Sequence, residues 1–192
     1  ITFRPGARHT HASDVALPRL PAEVPGLDGQ PVPIKDGAGR LACAVPVVSF
    51  VKSGRYADGG AVHVEPLVAE AMAQHCLAGI VAEGGAPSGS MNLAVDDALM
   101  GAVFSGLPVV KVGRGYEGFA SAGNPRGFSA GGQPVFLGGS NLTATKARLL
   151  LMAGLLKFGA LPRAVDPSKP TVAECAATLA KLAGYQTLFD SH

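Results

Sequence analysis

Three short apolar segments, VPVVSFV at 45–51, AGIVA at 78–82 and LPVVKV at 107–112, are separated by stretches far too long for hairpin turns. Parallel strands need crossovers of about a dozen residues or more, usually filled by a helix. The intervening sequence meets that need. Within 64–76 the apolar residues Val64, Leu67, Val68, Ala71, Met72 and Cys76 fall at helical spacing. A second helix is expected over 91–105, with Ser90 as its N-cap. Strands that are apolar on both faces and alternate with helices predict an α/β domain, three-layer, with a parallel β-sheet flanked by helices. Two further helices follow. One lies within 138–159, with Leu142, Ala147, Leu150, Leu151, Gly154 and Leu155 on one face and Gly159 and Pro162 at its end. The other covers about 171–183.

The first 44 residues have a different texture. Pro18, Pro21, Pro25, Pro31 and Pro33 forbid long regular elements, so an extended linker with a turn at Asp36-Gly37 is expected. Charge points away from nucleic acid as a partner: 16 basic and 14 acidic residues are spread without long runs, for a net charge of +2. The longest apolar run, 149–156, falls short of the ~20 residues that cross a bilayer, so no membrane is expected as a partner either. Cys43, Cys76 and Cys175 show neither zinc-knuckle nor disulfide spacing and read as buried free thiols.

In a parallel sheet the ligand meets the loops at the carboxyl ends of the strands, here 53–60, 83–90 and 113–134. The last is long and glycine-rich, with little sign of secondary structure. Glu83 closes an otherwise apolar strand at that edge and is the better polar candidate there. Residues 84–92 either cradle a carboxylate with backbone N–H groups or form an ordinary strand-to-helix loop. Asp96 and Asp97 fall in the first turn of a helix, where they complement its dipole. Lys111 and Arg114 are read as structural ion-pair partners ahead of carboxylate ligands. Gly113-x-Gly115-x-x-Gly118 spells a dinucleotide motif, but no helical period follows it, so it is set aside. His9, His11 and Asp14 lack a third or fourth well-spaced ligand, since His63, His75 and His192 do not supply one; no metal is expected.

Taken in order, AMAQHCLAGIVAEG, a loop, a helix, GLPVVKVGRG, a glycine-rich loop and GGSNLTATKARLLLMAGLL resemble the C-terminal domain of the bacterial L-asparaginase/glutaminase family. The resemblance runs from about 45 to 159, and its most specific piece is Lys146-Ala147-Arg148 with the leucines that follow. RHTHASD at 8–14 resembles the segment V-T-K-T-x-T-x-D of that family, and PVPIKDG at 31–37 resembles its linker. The resemblance implies the tail of an N-terminal catalytic domain at 1–24, a linker at 25–44 and an asparaginase-like α/β domain at 45–192.

It also implies an activity: hydrolysis of the side-chain amide of asparagine, or of glutamine, to the acid and ammonia. A threonine hydroxyl is the nucleophile in that family and a lysine assists proton transfer. No cofactor is implied, and the expected partners are a small amide substrate such as L-asparagine and further copies of the chain in a homodimer or homotetramer. His9 stands at the lysine position and is the catalytic candidate. The threonine motifs are absent from these residues and are expected upstream of Ile1. Ser90, Asn92 and Glu117 stand near the family's substrate-contacting asparagine and glutamate and, with Glu83, are the substrate-binding candidates. A noncatalytic amide-binding or regulatory module on the same fold is the alternative, and histidine in place of lysine argues for it.

Overall fold

A computed structural model describes residues 23–25, 30–33, 37, 46–52, 77–86, 88–114, 119–125, 128 and 133–191. The chain divides into two compact units, Ile1–Val45 and Pro46–His192. In the first, β1 (Glu23–Pro25) pairs antiparallel with β2 (Pro31–Pro33), with Val24 opposite Val32. The helix expected over 64–76 lies outside the described residues, as do His9, His11, Asp14 and Glu117.

The second unit is α/β. Among the described residues four parallel strands lie in the order β3 (Val47–Lys52), β4 (Leu77–Gly84), β5 (Val109–Gly113) and β6 (Leu137–Gly138). Among the described residues three helices flank them: α1 (Leu93–Phe104), α2 (Ala144–Phe158) and α3 (Val172–Asp190). β4 runs through the middle. Ile80, Val81 and Ala82 are consecutive and wholly buried, which requires cover on both faces of the sheet, since successive side chains point opposite ways.

The expectation of a first strand apolar on both faces needs correction. β3 is an edge strand: Val48 and Val51 are buried, Val47, Ser49 and Phe50 are half-buried, and Lys52 is exposed. Among the described residues only β4 pairs with it, and its side chains have partial access to water. β6 was not foreseen, because two residues carry no periodicity. The expected structureless loop at 113–134 also needs correction within the described residues. Ala120 bridges Ser140, Gly123 bridges Phe136, and Asn124 holds the returning chain by accepting from the Val135 N–H at 2.8 Å and donating to the Gln133 carbonyl at 3.0 Å.

The caps explain where the helices begin. Asn92, not Ser90, is the N-cap of α1: its Oδ1 accepts from the Val95 N–H at 2.8 Å. α2 starts after Thr143 and stops at Gly159, whose φ of 71° is in the left-handed region. Its buried residues are Ala147, Leu151, Gly154 and Leu155, four of the expected face. α3 starts in a capping box, with Thr171 and Glu174 each bonded to the other's backbone, and runs seven residues past the expected end at 183.

The cap of α3 carries a pH dependence. The Glu174 carboxyl sits below its ordinary 4.5 because it accepts from the Thr171 hydroxyl, then from the Val165 and Thr171 N–H groups. A depressed carboxyl contributes stability that is present above its unfolded pKa and lost as pH falls through the folded value. Urea midpoints compared at pH 6 and pH 3.5 are expected to fall further in the wild type than in Glu174→Gln. Equal falls would reject the cap as the acid-sensitive element.

Candidate functional site

The carboxyl ends of β3, β4 and β5 meet the N-terminus of α2 at a cleft of about 440 Å³. Phe50, Lys52, Glu83, Gly113, Thr143, Ala144 and Thr145 line it. Register assembles the floor: Phe50 lies beside Val81 and Lys52 beside Glu83, so alternate residues of two parallel strands share the face that α2 covers. Arg148, on the second turn of α2, lies 5.4 Å from the centre of the Phe50 ring. Its Nε is buried without a hydrogen-bond partner among the described residues.

Glu83 is the centre of the charged part. Its Oε2 lies 3.2 Å from Lys52 Nζ and its Oε1 3.4 Å from Arg114 Nε. The Glu83 side chain is 15% exposed, against 64% for Lys52 and 49% for Arg114, so the carboxylate is set inward and both cations face water. Ion pairs this exposed contribute about 1 kcal/mol or less, so the arrangement matters for placing charge more than for stability. Two cations flank the one carboxylate, and the α2 N-terminus lies at the same cleft. Such a site suits a ligand with a carboxylate to meet the cations and an ammonium or amide to meet Glu83.

The other sequence candidates fall elsewhere. Ser90 is exposed, and its carbonyl accepts from the Gly85 N–H at 2.8 Å, closing the loop on itself. The Asn92 side chain is engaged in capping α1. Neither lines the cleft. Asp96 adds to its place in the first turn an ion pair with Lys111 at 2.6 Å, while Asp97 is exposed. His9 and Glu117 lie outside the described residues. Sequence reasoning missed Lys52, Thr143 and Thr145. Lys52, like Glu83, is a charged residue ending an apolar strand, and that shared signature was the available signal.

Among the described residues no group of three or more His, Cys, Asp or Glu comes together as a metal site. No described helix is long and apolar enough to cross a membrane. No protein-family model and no curated protein matches this sequence. Among solved structures, a probable cytoplasmic L-asparaginase from Campylobacter jejuni is similar at 24% identity, with a TM-score of 0.46. The match covers 77% of this chain and 35% of that one, so the chain spans about a third of its length.

Proposed function

We propose that this chain is the C-terminal α/β part of an asparaginase-like amidohydrolase that hydrolyses the side-chain amide of L-asparagine, or of glutamine, to the acid and ammonia. The observation that carries the reading is the cleft at the strands' carboxyl edge, where Glu83 is held between Lys52 and Arg114. Its charges complement an amino acid, which presents a carboxylate and an ammonium together. The ordered segments that resemble the family supply β4, α1, β5 and α2, the elements that build this edge.

In the proposed reaction a hydroxyl oxygen attacks the amide carbon, ammonia leaves with a proton delivered to its nitrogen, and water then cleaves the resulting ester. Lys52 and Arg114 orient the substrate carboxylate, and the resemblance alone gives His9 the proton-transfer role of the family's lysine. The threonine nucleophile belongs to motifs not matched in these residues. A homodimer or homotetramer follows from the same reading, as does the absence of a cofactor.

Ammonia release from L-asparagine and L-glutamine, measured on the native protein, tests this directly. Release is expected, and Glu83→Gln is expected to raise KM by about 10–100-fold, the loss of one charge-assisted contact of about 1.5–3 kcal/mol. Amino-acid binding without ammonia would favour the noncatalytic module, consistent with a histidine at position 9 and an Asn92 side chain already engaged in capping. Neither binding nor release would overturn both readings.

A further inference from the structure

Arg148 departs from the rule that buried polar atoms are paired. Its Nε is shut off from water and bonds to nothing among the described residues, and no carboxylate there forms an ion pair with the guanidinium. Most buried donors in folded chains find an acceptor, and one left without costs stability. Along α2 the residue stands between the buried Ala147 and Leu151, and the Phe50 ring centre lies 5.4 Å from its Cζ. An unbranched apolar side chain would suit these surroundings without leaving a donor unpaired.

Its position accounts for the charge. In a helix the Cα–Cβ bonds lean toward the N-terminus, so Arg148 reaches back along the first turn, where Ala144 and Thr145 line the cleft. Phe50 lines the cleft as well, which sets the guanidinium at the wall where β3 and α2 meet. The residue as a whole is half-buried, and its two outer nitrogens are not enclosed as Nε is. Lys52 and Arg114 already face Glu83, whereas Arg148 has no such partner among the described residues.

We infer that Arg148 is the subsite for a second carboxylate, so that the cleft takes an amino acid whose side chain ends in an acid. This rests on the reading of the cleft above, in which Glu83 meets the ligand's ammonium and Lys52 and Arg114 its α-carboxylate. A guanidinium holds a carboxylate through two parallel charge-assisted bonds, while a side-chain amide offers it one neutral carbonyl oxygen. The acid is therefore the tighter ligand, and the product of amide hydrolysis competes with its substrate for the cleft.

Calorimetric titration of the native protein with L-aspartate and with L-α-aminobutyrate tests the subsite. Neither has an amide to lose, and the two differ only in carrying a carboxylate or a methyl group at the end of the side chain. L-Aspartate is expected to bind at least about tenfold more tightly. In Arg148→Met the two affinities are expected to agree within about twofold, with that for L-α-aminobutyrate unchanged. The same variant is expected to melt no lower than the wild type, because the unpaired donor is gone. If Arg148→Met does not fold, Arg148→Lys, which keeps the charge and loses the fork, is expected to lose part of the preference. Equal affinities in the wild type overturn the second subsite and leave the amidohydrolase reading standing, whereas no binding of either ligand overturns both. A preference that survives in Arg148→Met overturns the assignment to Arg148.

Discussion

Asp96→Ala is expected to destabilise the domain by about 3–5 kcal/mol, the usual effect of leaving a buried charge without its partner. The Lys111 ammonium lies 2.6 Å from Asp96 Oδ1, and the two side chains are only 12% and 13% exposed. Lys111 also sits 4.7 Å from the centre of the Phe136 ring, so it has little room to reach water. The sequence suggests a different role for Asp96, as a partner of the α1 dipole, which is worth about 0.3–1 kcal/mol. The two magnitudes separate the roles. Urea unfolding of Asp96→Ala at neutral pH decides: a loss under about 1 kcal/mol rejects the buried pair as a stability determinant. Replacing both partners, as in Asp96→Leu with Lys111→Met, is expected to recover most of the loss, because no isolated charge remains.

Gly154→Leu is expected to destabilise by about 3 kcal/mol, at the upper end for overpacking a close helix contact. A Cβ at Gly154 would stand 2.9 Å and 3.0 Å from Tyr185 ring carbons and 3.3 Å from Leu188 Cδ2. The ring cannot retreat. Tyr185 is fully buried, its hydroxyl donates to the Gly159 carbonyl at 2.7 Å, and Phe158 packs against it at 5.0 Å between centroids. Burial pushes its phenol well above the usual tyrosine range, so it stays a neutral donor at any ordinary pH. Gly154→Ala meets two opposed effects, about 1 kcal/mol gained in helix propensity against about 1–3 kcal/mol of crowding. A net loss smaller than that of the leucine variant is expected. Thermal melts of both variants check the order, and a Gly154→Leu protein as stable as the wild type would mean that α2 and α3 need not pack this closely.

The elements themselves were legible where a segment is buried along one face or on both for its whole length. The α2 stripe predicted Ala147, Leu151, Gly154 and Leu155 as buried because it repeats with the helical period, and AGIVA lies within β4 because a short unbroken apolar run suits a strand covered on both faces. Ends and edges were less legible. Ser90 and Asn92 are both good caps in isolation, and the choice fell to Asn92 because the Ser90 carbonyl is committed to Gly85. VPVVSFV reads as a doubly covered strand, yet among the described residues β3 pairs on one side only and three of its residues are half-buried.

Glu83 stands out in the sequence as the polar residue ending an apolar strand, and its place at the carboxyl edge follows from chain direction. Its partners do not follow. Lys52 is 31 positions earlier and Arg114 is 31 positions later, and only the parallel register of β3, β4 and β5 sets all three at one edge. Local periodicity determined that the chain builds strands and helices in alternation, hence a parallel sheet with its loops gathered at one end. Tertiary structure alone decided the order of the described strands, which carboxylate pairs with which cation, and that the Gln186 carboxamide on α3 would bond the Gly138 peptide. Those outcomes depend on distances between residues far apart in the chain, and hydrophobic patterning carries no information about pairing across such separations.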